Sequence, residues 1–357
     1  MSQGSHVMLT SEQQRALVQW TNLLAEGGLD RVLIHNPPSG PPQVAERFRV
    51  LARLFGKGQA VERHDLLACV PEELLSTLEA LGLLNGIGDR VAPAYRLLSH
   101  LGLWLFCEKT SPSTKFYYGN CSLELSRMFD GAGGTVLDLC SGVGTQALVS
   151  ARTAARVTAV EIEPLAAKLF WVNAAMNGLA DKVELVIGDF FEPVAGQRFD
   201  VISCNPPWMP VAPEVRYPMY ADGGADGLIF VRRLMAGLPE ALVPDGRCEA
   251  FAGVLGNREG PNLAAFKTMA ADSSLAIVID CLTCEELEGK VMEQFVGLAL
   301  EDGGGEDVEQ AFRRHFASLG ATHIYCSLVH AMRQPSPMVC ASYRHGPNTA
   351  FWMVPFH

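Results

Sequence analysis

A Rossmann-like α/β fold, preceded by a smaller helical, winged-helix-like N-terminal domain, is predicted by three features of this chain. The first is a series of short apolar runs that each end in an acid or an amide. They are Thr135-Val-Leu-Asp138, Arg156-Val-Thr-Ala-Val-Glu161, Val183-Glu-Leu-Val-Ile-Gly-Asp189 and Phe199-Asp-Val-Ile-Ser-Cys-Asn205. Apolar runs of this length read as buried strands. The second is the turn Cys140-Ser-Gly142-Val-Gly144-Thr145, which leads from the first run into the apolar helix start Gln146-Ala-Leu148. Strand, glycine turn and helix open a βαβ unit. The third is a change of character along the chain: helical periodicity dominates the beginning, and the strand-like runs begin after it. The expected division is residues 8–112 for the helical domain and 113–357 for the α/β domain.

In chain order, Ser11 to Ala25 begins with a capping residue and places Leu17, Trp20 and Leu24 at helical spacing. Pro37-Pro-Ser-Gly-Pro-Pro42 reads as a linker or turn, and Val44 to Phe55 is helical again. His64 to Val70, a turn at Pro71 and Glu72 to Leu81 have the layout of a helix-turn-helix. Asn85-Gly-Ile-Gly-Asp-Arg90 then separates the strand-like runs Leu83-Leu84 and Val91 to Leu98, as the loop of a wing does. Such a layout raises the question of DNA binding. The second helix carries Glu72, Glu73 and Glu79 with no Lys or Arg, and residues 1–110 hold ten Lys plus Arg against eleven Asp plus Glu, a net of −1. Groove binding depends on neutralising phosphates, so a structural, dimerising or substrate-covering role is expected instead, with a homodimer through this domain as one form of it. The whole chain is also acidic, net −11, which argues against a nucleic-acid partner.

The strand ends carry the chemistry. Glycines at 142 and 144 let backbone approach a ligand where a Cβ would collide. Asp138 can accept bonds from an ammonium group. Glu161, about one crossover later and followed by Ile162, suits a pair of ribose hydroxyls. Asp189-Phe190 offers an acceptor and a ring face to adenine. At the fourth end stands Asn205-Pro206-Pro207-Trp208. The prolines bias Asn205 toward an extended conformation and fix the following backbone. A rigidly held carboxamide beside an aromatic face can bind a flat nitrogen-bearing group; a Pro-rich turn after a strand is the plain alternative.

Taken together, these four ends resemble the class I S-adenosylmethionine-dependent methyltransferases, in particular the group with an Asn-Pro-Pro-aromatic motif. The nicotinamide-dinucleotide alternative fits less well, because its fingerprint has glycine where Cys140 and Thr145 stand. The segment Tyr220-Ala-Asp-Gly-Gly-Ala-Asp-Gly-Leu-Ile-Phe-Val-Arg232-Arg233 is similar to the post-motif segment of HemK-type glutamine methyltransferases. The similarity runs from about residue 116 to 255, and this chain departs from the pattern at Trp208, usually Tyr, at Cys140, usually Gly, and in its N-terminal domain.

The resemblance implies a seven-stranded sheet, S-adenosylmethionine as cofactor, and methyl transfer to a planar amide or amine nitrogen of a protein side chain or a small metabolite. It assigns the cofactor to Asp138, Cys140, Gly142, Gly144, Thr145, Glu161, Ile162, Asp189, Phe190 and Asn205. It assigns catalysis to Asn205, Pro206, Pro207 and Trp208. Tyr117, Tyr118, Asn120, Trp208 and Tyr220 are candidate acceptor contacts. The alternatives are an adenine methyltransferase of nucleic acid, a natural-product methyltransferase acting on carbon or oxygen, and a non-catalytic protein that keeps the fold.

Beyond residue 255, Leu275 to Asp280, His323 to His330 and Ala350 to Phe356 read as strands that complete the sheet with an antiparallel edge hairpin, and Glu306 to Leu319 as a helix after the Gly303-Gly-Gly305 loop. Arg313, Arg314, His315 and Arg333 are surface charges or substrate contacts. A length of 357 residues accommodates two domains. No apolar run is long enough to predict a membrane span, and without a signal peptide the expected compartment is the cytoplasm. The ten cysteines lie mostly within apolar runs, which fits a reducing environment. Cys281 and Cys284 lack partners at ligand spacing, so no metal is expected.

Overall fold

The computed structural model describes residues 9–34, 44–108, 118–129, 133–305 and 307–343. The expectations for 37–42, for Tyr117 and for the strand at 350–356 lie outside these residues.

A single large sheet organises the chain. Its main strands are β1 (Thr135–Leu139), β2 (Arg156–Glu161), β3 (Val183–Ile187), β4 (Phe199–Cys204), β5 (Leu242–Asn257), β6 (Leu275–Cys281), β7 (His323–Arg333) and β8 (Met338–Tyr343). Their order across the sheet is β3-β2-β1-β4-β5-β7-β6-β8. β1 to β5 run parallel, and β7 runs antiparallel to both β5 and β6. The antiparallel strand is therefore interior. The edge belongs to β8, which lies parallel to β6.

The central strands form because both their faces are covered. Val136, Leu137, Val157, Ala159, Val201 and Ile202 are all nearly or fully buried. Helices Thr145–Ala151 and Pro164–Met176 cover one face, and helices Ile229–Ala241 and Ala264–Ser273 the other. The chain departs from β1 in one direction and from β4 in the other. That reversal opens a crevice at the carboxyl ends of β1 and β4, where ligands bind in open α/β sheets.

In the N-terminal part, helix Ser11–Glu26 starts one residue later than its cap. Thr10, not Ser11, is the capping residue: Thr10 Oγ1 accepts from Gln13 N at 3.1 Å, and Gln13 Oε1 accepts from Thr10 N at 2.9 Å. This reciprocal box stabilises the helix by about 1 kcal/mol. Helices Arg63–Leu67 and Glu72–Ala80 are followed by the hairpin Leu84–Ile87 and Arg90–Pro93, whose second strand also pairs with Val61–Glu62. The run after Val91 does not continue as one strand. It breaks after Pro93, and Arg96–His100 pairs instead with Leu103–Cys107 in a second hairpin. Residues 46–56 are helical in three short pieces rather than one helix. No helix among the described residues is long and apolar enough to cross a membrane.

Candidate active site

A cavity of about 310 Å³ opens at the carboxyl ends of β1 to β4. Its floor is the turn after β1. Cys140 and Gly142 both hold positive φ, at 54° and 56°. For a cysteine that conformation costs roughly 1–3 kcal/mol and persists only where surroundings enforce it. A Cβ built on Gly142 would meet nothing within 4 Å, so its bareness leaves room beside the cavity. Gly144 has a different reason to be glycine. It does not line the cavity; with φ at 89°, a Cβ there would lie 2.7 Å from the Phe170 ring. Thr145 and Gln146, at the start of the next helix, complete this wall.

Asp138 is placed differently from expectation. It is fully buried beneath the turn and absent from the cavity wall. Its Oδ2 accepts from Ser141 Oγ at 2.6 Å and Ala147 N at 3.1 Å, and its Oδ1 from Ser203 Oγ at 2.6 Å. It thereby pins the turn to β4 and the following helix, away from the cavity lining. Burial pushes its carboxyl up to about 6, against the lowering effect of these donors.

Glu161 does line the cavity. Its Oε2 accepts from Gly142 N at 2.6 Å, and its Oε1 from Ile162 N at 2.8 Å and Glu163 N at 2.7 Å. Burial raises its pKa, and the three backbone donors oppose the rise. Ile162 stands beside it with its side chain half exposed. Across the cavity, Phe190 holds φ at 55° and is buried. The Asp189 carboxylate accepts from the two terminal guanidinium nitrogens of Arg233, at 3.0 and 3.1 Å. The same guanidinium lies 4.8 Å from the centroid of the Phe190 ring, within cation–π range. Ile162, Phe190 and Arg233 all line the cavity.

At the end of β4, Asn205 Nδ2 donates to Ser122 Oγ at 3.1 Å and approaches Cys121 Sγ at 3.6 Å. Its Oδ1 is buried and finds no partner among the described residues. Pro206, Pro207 and Trp208 continue the wall. The indole is not a free-standing platform. It is only 7% exposed, packs against Phe251 with ring centroids 5.2 Å apart, and sits over Gly253 of β5. Tyr220 lines the cavity, and burial pushes its phenol up to about 12.

Two of the expected acceptor contacts turn away. Tyr118 is buried with its hydroxyl 2.8 Å from His100 Nδ1, and His100 Nε2 lies 2.7 Å from Ser126 Oγ. Asn120 begins helix Asn120–Ser126 but does not line the cavity. The C-terminal cations are likewise elsewhere. Arg313 pairs with Glu288 and Glu309, Arg314 with Glu214, His315 Nε2 lies 2.6 Å from the Ala225 carbonyl oxygen, and Arg333 is exposed at the end of β7. Sequence reasoning did not single out Cys121, Ser122, Gln146 or Arg233. The first two were visible as polar residues in the segment joining the domains, and Arg233 as a cation in the segment after the motif.

The residues present fit S-adenosylmethionine: an open glycine turn, a carboxylate at the end of β2, apolar and aromatic lining at Ile162 and Phe190, and a buried carboxamide at Asn205. Comparisons with known proteins agree with it. A family model described as Methyltransferase small domain matches residues 120–216. A ribosomal protein uL3 glutamine methyltransferase from Bradyrhizobium diazoefficiens is 41% identical over 121 residues, 31% of this chain and 38% of that protein. A release factor glutamine methyltransferase from Gloeobacter violaceus is 37% identical over 155 residues, 40% of this chain and 52% of that one. Another release factor glutamine methyltransferase, from Moorella thermoacetica, is 32% identical over 219 residues, 56% of this chain and 77% of its own length. The chain thus spans about two fifths of the first relative, about half of the second and about three quarters of the third. It belongs to the S-adenosylmethionine-dependent methyltransferase family that includes the HemK-type glutamine methyltransferases.

Proposed function

We propose that this chain transfers a methyl group from S-adenosylmethionine to the amide nitrogen of a protein side chain. One observation carries the reading: Asn205 fixes its amide nitrogen on Ser122 and Cys121 while its buried Oδ1 lacks a partner among the described residues. A buried acceptor without a donor costs about 1–3 kcal/mol, and a substrate N–H would satisfy it.

When bound, the cofactor supplies a methyl group on a sulfonium, already activated for displacement. What remains for the protein is alignment. The turn at 140–144 and Glu161 hold the cofactor. Asn205 Oδ1 and the Pro206 carbonyl accept the two hydrogens of a carboxamide, which directs lone-pair density on nitrogen toward the methyl. Pro206 and Pro207 keep those acceptors rigid, and Trp208 walls the acceptor plane. A general base is not needed, because the proton can leave after transfer.

The relatives' acceptors, ribosomal protein uL3 and release factors, make a protein loop the first acceptor to test. The N-terminal residues 8–112 then serve as a winged-helix-like cover or a dimerising unit beside the methyltransferase domain of 113–357. Incubation with labelled cofactor and purified release factor, uL3, nucleic acid or metabolite extract tests the reading. Label should enter a protein glutamine; label confined to nucleic acid or metabolites would refute it. Asn205→Ala should abolish transfer and leave cofactor affinity near normal by calorimetry. Equal loss of both would remove Asn205 from the acceptor role.

A further inference from the structure

A carboxamide can be seated in two ways that differ only by exchange of oxygen and nitrogen. One presents an acceptor to the substrate and the other presents two donors. Only the first suits an N–H-bearing nucleophile, so something must decide the orientation of Asn205.

The deciding contacts come from helix Asn120–Ser126, outside the motif. Asn205 Nδ2 has Ser122 Oγ at 3.1 Å and Cys121 Sγ at 3.6 Å. A hydroxyl alone does not discriminate, since it donates or accepts equally well. Here the amide nitrogen, with two hydrogens to place, faces two neighbours able to take them, Ser122 Oγ and the buried Cys121 Sγ. Seated this way it uses both, and the carboxamide oxygen is left for the cavity. Ser122 is itself fixed: it is 2% exposed, and its carbonyl accepts from Gln146 Nε2 at 3.2 Å. Gln146 is buried on the helix that follows the glycine turn. The end of β4 and the helix of the glycine turn therefore both bond one residue of helix Asn120–Ser126, the first at the Ser122 hydroxyl and the second at its carbonyl.

We propose that Ser122 is a positioning residue that locks the Asn205 carboxamide with its oxygen available to the acceptor nitrogen. The proposal rests on the methyl-transfer reading for its consequence, but the orientation is open to measurement without any acceptor.

The test uses the full chain with Ser122→Ala, Ser122→Thr and the double change Cys121→Ala/Ser122→Ala. In protein labelled with 15N-asparagine, the Asn205 side-chain amide pair is assigned by its disappearance in Asn205→Ala. The wild-type pair should be shielded from solvent exchange. It should exchange at least about 10-fold faster in Ser122→Ala and faster still in the double variant, while Ser122→Thr, which keeps the hydroxyl, stays near wild type. Unchanged protection in the double variant overturns the proposal. Ser122→Cys replaces the oxygen with a weaker acceptor and gives a smaller change in the same direction if Ser122→Ala does not fold. With a labelled acceptor in hand, Ser122→Ala should lower kcat roughly 10–100-fold, the scale of a small misplacement of a reacting group, with KM for the cofactor unchanged. A rise in cofactor KM with kcat intact would show a structural role only. If the wild type labels no acceptor, the functional reading fails, and the amide signals still decide the role of Ser122.

Discussion

Asp138 shows how burial changes what a residue can do. A carboxylate at a strand end beside a glycine turn reads as a ligand contact, and Glu161 at the next strand does lie on the cavity wall. Asp138 is instead sealed beneath the turn and spends its lone pairs on Ser141, Ser203 and the Ala147 amide. Its carboxyl is raised to about 6 from an ordinary 3.8. The folded state therefore disfavours its ionisation: its contribution to stability is full below the unfolded value and is lost as pH rises through about 6. Function has the opposite sign. The ionised form holds all three donors and places a negative charge behind a cationic ligand, whereas the protonated form gives up one acceptor position. Affinity for S-adenosylmethionine should fall as pH drops below about 6, measured by calorimetry between roughly pH 5 and pH 8. Asp138→Asn should flatten that profile, with Glu161 supplying what dependence remains. A flat wild-type profile would place Asp138 outside the binding equilibrium.

Among the elements, β5 shapes the acceptor end more than its sequence suggests. Gly253 lies directly under the indole: a Cβ there would be 2.4 Å from Trp208 Cε3 and 2.9 Å from Cζ3. Gly253→Ala must displace the ring. Overpacking of this kind costs about 1–3 kcal/mol, and the move carries Pro207 and the wall with it. Loss of transfer at nearly unchanged cofactor affinity, with a shift in tryptophan emission, is the expected result; unchanged turnover would mean the indole has no part in seating the acceptor. The sequence made some of this legible and not the rest. The strand ends at 138, 161, 189 and 205 stood out because buried parallel strands are apolar runs with abrupt polar termini. The seat of Trp208 did not, because it depends on a glycine gap in another strand, and the partner of Tyr118 did not, because His100 lies in a separate hairpin. Helix Gly289–Glu301 escaped notice, with glycines at 289 and 297 interrupting its pattern, as did the edge strand Met338–Tyr343, most of whose residues are exposed.

For the molecule as a whole, the N-terminal part is sewn onto the cofactor domain. Two asparagines four residues apart, Asn173 on helix Pro164–Met176 and Asn177 at its C-cap, act as substitute strand partners for the hairpin strand Leu103–Cys107. Asn177 accepts from Trp104 N at 2.8 Å and donates to its carbonyl at 2.7 Å. Asn173, fully buried, accepts from Phe106 N at 2.7 Å and donates to the Phe106 and Val143 carbonyls, both at 3.0 Å. Val143 belongs to the glycine turn, so one side chain links the N-terminal hairpin to the floor of the cofactor cavity. The apolar cores of the two parts are also continuous, from Trp20 and Leu24 through Phe106 to Phe170. Such continuity predicts one cooperative unfolding transition, with calorimetric and van't Hoff enthalpies equal. Asn173→Ala leaves a buried amide and two buried carbonyls short of a partner, a loss of about 2–4 kcal/mol by the usual cost of such groups. It should lower the melting temperature and weaken cofactor binding together, because the glycine turn loosens with the hairpin. Two separate transitions in the wild type, or a melting temperature that falls while cofactor affinity holds, would show that the N-terminal part is a passive attachment and that the turn is held by Asp138 and Glu161 alone.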